Sequence, residues 1–266
     1  PHTPYVAPKP YFTQYPKDQV QLAKEPAGNR ETKPPVALSN TTVANYGMSE
    51  DTQRTAKQAY LASMSFMDAQ FGMVLAELKK QGLDKDTVVI FISDHGYNLG
   101  EHGLWQKRSL YEDSARVPFI IRDPDSKANG QSTQRVAELI DLYPTVADLC
   151  SLTPDKRAEG KSLRALLEDP NRPWANAAYT QVDFGAVNGK KGGDRKVGRS
   201  VRTERYRFTA WLHRDDPSKD ASLELYDHRT DPQENQNLAK RTEHAALVAQ
   251  LTTQLRAGWK AAAPAR

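Results

Sequence analysis

The chain has 266 residues, with 37 Lys and Arg against 33 Asp and Glu, 38% hydrophobic residues and one cysteine. Such a length can bury a sizeable core in one large or two small domains, and a lone cysteine excludes an internal disulfide framework or a cysteine-rich zinc module. A formal net charge of +4 tolerates an anionic substrate without arguing for nucleic acid.

No apolar run reaches the roughly 18 residues of a membrane span, and no basic segment with an apolar core opens the chain. Eight of the 17 prolines fall within the first 35 residues, and the chain opens on Pro1-His2-Thr3-Pro4 without a methionine. That opening reads as the middle of a longer protein. Residues 1–50 are expected to be a proline-rich extended segment lying over a folded body, with Tyr5, Tyr11 and Phe12 as anchors.

The strongest helix follows. Tyr60, Met64, Met67, Phe71, Val74, Leu75 and Leu78 recur at spacings of four and three, which predicts one buried stripe. Ser49 or Asp51 can cap its start, and Gly82 is placed to stop it. Residues 87–92, Thr-Val-Val-Ile-Phe-Ile, form the kind of run found in a parallel strand covered on both faces. Residues 117–121 predict a second strand and residues 134–139 a third. Asp141 then caps a helix with Pro144 in its first turn, closed by Cys150, which is expected to be a small buried hydrophobe. Helix, buried strand, loop, strand and helix make an α/β body over residues 51–179.

From residue 180 the character changes. Residues 184–199 are rich in glycine and lysine and predict a mobile loop that could attract a polyanion through Lys190, Lys191, Arg195, Lys196 and Arg199. Residues 200–211 and 223–226 read as antiparallel strands around a turn at Asp215-Asp216-Pro217, before an amphipathic helix over 243–259. Residues 180–266 are thus expected to be a smaller α+β subdomain.

The chemistry concentrates in Ser93-Asp94-His95-Gly96-Tyr97-Asn98-Leu99-Gly100-Glu101-His102-Gly103-Leu104-Trp105-Gln106-Lys107. It follows the apolar run at its carboxyl end, where open α/β sheets bind ligands. Asp94 and His95 offer an oxygen and an imidazole to one cation, and Lys107 can pair with an anion. On spacing alone this points no further than a metal-assisted hydrolase, beside the plain alternative of a turn cap and a packed imidazole. Glu101 and His102 are expected to brace the loop, Tyr97 and Asn98 to sit where substrate contacts arise, and Arg116 to pair with Glu112. His213, His228 and His244 read as surface residues.

The strand-SDHG-x-x-LGEHG-x-W-x-K pattern, followed by Tyr111-Glu112-Asp113-Ser114-Ala115-Arg116-Val117-Pro118, resembles the second half of a sulfatase of the alkaline phosphatase superfamily. Pro1-His2-Thr3-Pro4-Tyr5, Asp141-Leu142-Tyr143-Pro144-Thr145, Glu224-Leu225-Tyr226-Asp227 and residues 231–238 resemble further segments of that family. Residues 200–209 most resemble iduronate-2-sulfatases and related bacterial enzymes. The resemblance implies an α/β fold, with part of an alkaline-phosphatase-like sheet flanked by helices and a smaller C-terminal α+β subdomain bearing an antiparallel sheet.

It also implies that Asp94 and His95 supply part of a Ca²⁺ site and that Lys107 and His2 contact the sulfate. A cation, a lysine and an imidazolium can stabilise charge that moves to the bridging oxygen as an S–O bond breaks, and His2 can protonate the departing alkoxide. Family members use a formylglycine nucleophile made in a Cys-x-Pro-x-Arg motif, and a pair of aspartates on the first strand. Neither is here: Cys150 is followed by Ser151-Leu152-Thr153-Pro154.

The expected substrate is therefore a sulfated carbohydrate or another sulfate ester. The expected partner is the N-terminal half of the same enzyme, carrying the nucleophile, and family habit implies a periplasmic or secreted setting. Neither nucleic acid nor a membrane span is expected. Two alternatives are a phosphatase, phosphodiesterase or phosphonate hydrolase of the same superfamily, and a non-catalytic half that binds glycan or a partner chain.

Overall fold

The computed structural model describes residues 2–38, 43–174, 177–184, 196–214, 216 and 222–258. Short helices Lys9–Phe12 (α1) and Asn29–Thr32 (α2) lead to the long helix Glu50–Lys80 (α3). Strand Val89–Ile92 (β1), the short pair Asn98–Leu99 (β2) and Trp105–Gln106 (β3), helix Glu112–Ala115 (α4) and strand Phe119–Arg122 (β4) follow. Helices Leu142–Leu149 (α5) and Arg164–Glu168 (α6) precede four strands, Ala178–Phe184 (β5), Lys196–Arg202 (β6), Tyr206–His213 (β7) and Ser222–Asp227 (β8). Helix Ala245–Ala257 (α7) ends the described fold.

The proline-rich opening lies against α3. Tyr11 packs on Phe66 with ring centroids 5.2 Å apart, and Tyr5 packs edge-on against Tyr60 at 5.7 Å. Ser49 caps α3 by accepting from the Thr52 amide at 3.2 Å, and Gly82, at φ 71°, turns the chain away after its end.

The expected apolar stripe is covered only in part. Of that stripe Met67, Val74 and Leu75 are exposed, Val74 by 64%, as is Met73 beside them. Strand β1 likewise pairs with β4, antiparallel, with Phe91 opposite Ile120, and the expected parallel neighbour is not found among the described residues. Both strands keep exposed apolar side chains, with Ile120 59% accessible.

Several local expectations are corrected. Residues 134–139 form no strand. The Asp141 carboxylate accepts from the Glu138 and Lys161 amides at 3.0 and 2.9 Å, binding the turn before α5 and a distant strand of chain in place of capping the helix. Cys150 is exposed, because α5 turns Pro144, Thr145 and Ala147 inward. The run expected as a single strand over 200–211 is two strands, β6 and β7, joined by a turn in which the Thr203 amide bonds the Tyr206 carbonyl at 2.8 Å. Within the glycine- and lysine-rich region Lys196 begins β6, while residues 185–195 lie outside the described residues, as do Asp215, Pro217 and Trp259.

Strands β5 to β8 form one antiparallel sheet in chain order, and it carries the core. One face is apolar: Val201, Phe208, Ala210 and Leu225 pack against Leu251 and Leu255 of α7. Alternation along the strands sends Ser200, Arg207, Thr209, Trp211, Glu224 and Tyr226 to the other face. There Trp211 and Tyr226 pack with Leu104, Leu110 and Tyr111, while the polar side chains pair within the layer. The Glu224 carboxylate accepts from Tyr111, Tyr226 and Trp211 at 2.8, 2.7 and 2.6 Å. Arg207 donates to Glu234 at 2.6 Å and to Glu112. Glu234 also accepts from the Glu112 amide at 2.7 Å and from His228 at 2.9 Å. His228 is therefore part of a buried network and not a surface residue. Glu112 is held by Arg202 and Arg207, not by Arg116.

Burial alone would raise the Glu234 carboxyl, but the Arg207 guanidinium and His228 outweigh it and lower the pKa to about 2. Removing one partner of such a pair strands a buried charge, at a cost of about 3–5 kcal/mol. Glu234→Gln is expected to lose stability of this order at pH 7 by denaturant titration. A variant within 0.5 kcal/mol of the parent, a small change by the same standard, would remove the network from the fold's foundations.

Candidate active site

Strand β1 delivers Asp94 and His95 at its carboxyl end, on the wall of a cleft of about 1270 Å³ that Asp113, Arg116, Glu138 and Arg202 also line. The His95 Nδ1–H donates to the Gly96 carbonyl at 2.7 Å, which orients the ring and leaves Nε2 as the nitrogen that can ligate. That nitrogen lies 3.6 Å from Asp94 Oδ1, so the two side chains can address one cation. Two donor atoms fall short of the six to eight oxygen-type ligands that Ca²⁺ takes. The pair fits a divalent cation as part of its shell.

The glycine between these residues and the next strand is required by space. A Cβ on Gly96 would overlap the carbonyls of Asp113 and Arg116. The Gly96 and Tyr97 amides bond Ser114 and Asp113 carbonyls at 2.9 and 2.6 Å, tying the loop to α4. Asp113, which the sequence did not single out, faces the same cleft. Burial of its carboxyl, with Glu101 and Glu234 nearby, raises its pKa to about 6.

Strands β2 and β3 pair Asn98 with Gln106 and Leu99 with Trp105. Continued by one residue, that register sets Tyr97 opposite Lys107 at the same end of the small hairpin; Lys107 is not among the residues that line the Asp94–His95 cleft. Among the described residues Lys107 has no hydrogen-bond or ion-pair partner, and it is half-buried. His2 is exposed, with its Nδ1–H donating to the Thr3 carbonyl at 2.7 Å. Three residues on, the Tyr5 hydroxyl meets that of Tyr97, and the Tyr97 ring stacks on Tyr60 at 5.1 Å. The His2 segment is thereby pinned to the residue that faces Lys107.

Asn98 is wholly buried and so is not a substrate contact. Its amide nitrogen donates to the Gln106 carbonyl at 2.9 Å and to the Ser109 hydroxyl at 3.4 Å, bracketing Lys107. Gln106 and Arg108, on either side of Lys107, have φ of 69° and 74°, a strained conformation for side chains of this size. Glu101 accepts from the Leu99 amide and braces the loop as expected. His102 does so by packing, at 3% exposure and 4.2 Å from the Tyr111 ring. Both its ring nitrogens are buried without a partner among the described residues.

A second cluster of ligand-type groups, Glu112, His228 and Glu234, has atoms within 4.8 Å of one another. Arg207 and Arg202 already bond these groups, so the charge is balanced by guanidinium and no cation is needed.

Asn98→Ala is expected to lose about 1–3 kcal/mol by chemical denaturation, because the buried Ser109 hydroxyl and the Gln106 carbonyl both lose a hydrogen-bond donor. An unchanged midpoint would show that the bracket carries no load. Burial, reinforced by the charge of Lys33, lowers the His102 pKa from 6.5 to about 3. The unfolded chain then binds a proton that the folded chain refuses, so this contribution to stability is complete above pH 6.5 and declines as pH falls towards 3. Asp113 acts in the opposite sense below its raised pKa of about 6, so the diagnostic is a difference between two proteins. From pH 7 to about pH 5, His102→Asn is expected to lose less stability than the parent in urea titrations; parallel losses would rule out the buried neutral imidazole as the acid-sensitive group.

Residues 1–152 match the sulfatase family profile, and residues 100–260 match that of the N-sulphoglucosamine sulphohydrolase C-terminal region. The chain is 31% identical to mouse (Mus musculus) iduronate 2-sulfatase over 93% of its own length and 58% of the relative's. Among solved structures, the phosphonate monoester hydrolase of Silicibacter pomeroyi superposes with a TM-score of 0.82 at 26% identity, over 97% of this chain and 53% of that one. An enzyme solved with D-glucosamine-2-N,6-O-disulfate superposes with a TM-score of 0.69 at 26% identity, over 80% and 42%. The chain spans about half the length of the curated relatives it matches. With the fold, the Asp-His turn and both profiles in agreement, the chain belongs to the sulfatase family.

Proposed function

We propose that this chain supplies the sulfate-binding side and part of the metal shell of a sulfatase acting on sulfated carbohydrates. The observation that carries the reading is the Asp94–His95 pair, two ligand atoms 3.6 Å apart at a strand's carboxyl end, with the His95 ring oriented by the Gly96 carbonyl. Asp94 and His95 would hold a divalent cation, Ca²⁺ by family habit, with further ligands from outside this chain. Such a cation, when bound, supplies Lewis-acid stabilisation of negative charge on the sulfuryl oxygens.

The chain's own residues supply the rest. Lys107, with its free ammonium, holds a sulfate oxygen and offsets the negative charge that builds as the ester bond breaks. His2, whose Nδ1–H is engaged by Thr3, presents Nε2 to the departing alkoxide and, when protonated, donates to it. Tyr5 and Tyr97 keep these parts in register. No Cys-x-Pro-x-Arg motif occurs in the 266 residues, so the nucleophile is read as lying on the part of the family fold that this chain does not span.

The exposed stripe of Met67, Met73, Val74 and Leu75 on α3, and Ile92 and Ile120 on β1 and β4, supports an N-terminal half of the enzyme as the covering partner. In this reading residues 1–50 are the strap over that body, 51–179 its C-terminal part and 180–266 the appended subdomain. Family habit places the enzyme in the periplasm or outside the cell. No helix among the described residues is long and apolar enough to cross a membrane.

The phosphonate hydrolase likeness supports a second reading, in which the same site handles phosphonate or phosphate monoesters. Turnover of matched sulfate and phosphonate esters separates the two. In the active enzyme, Asp94→Ala and Lys107→Ala are each expected to lower kcat/KM for a sulfate ester by about two orders of magnitude or more. Near-parental rates in both would remove these residues from the site, and preference for the phosphonate would replace the sulfatase reading.

A further inference from the structure

Arg108 follows Lys107, and nothing in the reaction outlined above uses it. Its backbone is held at φ 74°, a conformation that a long side chain keeps only where its surroundings impose it. The surroundings are rigid: Leu104, Leu110 and Tyr111 on either side of the turn belong to the same buried cluster as Phe184 and Trp211. A side chain on Gly198 would collide with Trp211 and Leu110, which shows how closely the turn lies on the sheet.

The guanidinium is exposed but not loose. Its carbon sits 5.5 Å from the centre of the Phe184 ring, which in turn stacks on Trp211 at 5.6 Å and 14°. Nη2 donates to the Asp183 carbonyl at 3.4 Å, while the Asp183 carboxylate pairs with Arg214. Among the described residues no carboxylate pairs with Arg108. Across the sheet, Lys196 lies directly opposite Phe184, and His213 directly opposite Lys196, so these side chains share the face on which Arg108 rests. The Lys196 ammonium is hydrogen-bonded to the His213 ring.

We propose that Arg108, seated on Phe184, is a second oxyanion site next to Lys107 in the chain. It takes a second acidic group of the sugar, carboxylate or sulfate, while Lys107 takes the group to be cleaved. This inference rests on the sulfatase reading above. A planar guanidinium fixed by a ring and one carbonyl keeps further N–H donors in a fork that matches two oxygens of either group. Stacking reduces the rotamer freedom that an exposed arginine otherwise loses on binding.

The test compares the active enzyme with Arg108→Ala and Arg108→Lys on three sugars. These are 6-O-sulfated N-acetylglucosamine, 2-N,6-O-disulfated glucosamine, and a mono-6-O-sulfated disaccharide bearing a uronate. Both KM and equilibrium binding by calorimetry are measured. Arg108→Ala is expected to weaken binding and raise KM about tenfold for one or both dianionic sugars, with the singly charged sugar within about twofold. Arg108→Lys is expected to recover part of the loss. A loss confined to the uronate assigns a carboxylate, and one confined to the disulfate assigns a sulfate. Equal losses on all three sugars, or no loss on any, overturn the proposal. If the parent binds these sugars without hydrolysing any sulfate ester, the sulfatase reading fails, and the binding ratios still decide the subsite. A parent that binds none of them overturns the subsite as well.

Discussion

The Arg207–Glu234 ion pair holds the C-terminal sheet to the loops that carry the candidate site. Arg207 stands on the polar face of the C-terminal sheet, and Glu234 receives both its guanidinium and the amide of Glu112. Glu112 begins the short helix that directly follows Tyr111, and that helix carries the carbonyls on which Gly96 and Tyr97 rest. A single buried charge pair thus fixes the sheet, the Lys107 turn and the Asp94–His95 turn relative to one another. Its desolvation is offset by the number of bonds each group makes, including His228 on Glu234 and Ser200 on Arg207.

Around this pair the fold separates two kinds of burial. The α7 side of the sheet is apolar and generic, filled by Leu, Val and Phe. The other side is a layer of satisfied polar groups in which Glu224 accepts three hydrogen bonds. Such a layer tolerates little rearrangement, because each displaced donor or acceptor is left buried and unpaired. A site that must align ligands from several loops gains a rigid reference from it.

The parts legible in the sequence were those with local physical causes. The β-branched run ending at Ile92, the glycines after it, the serine cap of α3 and the glycine after that helix each reflect backbone constraints within a few residues. The parts missed had distant causes. Strand β5 mixes polar and apolar residues without a clear period, and the turn between β6 and β7 contains neither glycine nor proline, so Thr203 closes it by hydrogen bonds alone. Nothing in the spacing of Glu112, Arg202, Arg207, His228 and Glu234 announces that they meet. Asn98 sits among the motif's polar residues, yet the β2–β3 register turns it inward. The spacing along α3 predicts a buried stripe that is exposed in part, because periodicity says which face is apolar and not what covers it.

Lys33 shows what this construction means for how the chain reaches its fold. Its ammonium lies 4.7 and 4.8 Å from the centres of the Tyr111 and Tyr226 rings and donates to the Glu234 carbonyl at 2.6 Å, and burial lowers its pKa. The contact with Tyr226 closes a loop of 193 residues, and the nearby Asn29–Asn235 bond closes one of 206. The hairpins of the sheet are local and can form early, whereas this closure brings together segments from opposite ends of the described chain. The polar layer therefore ties together segments far apart in the chain, and without the Lys33 segment the sheet would present to water the charged face that the finished molecule hides.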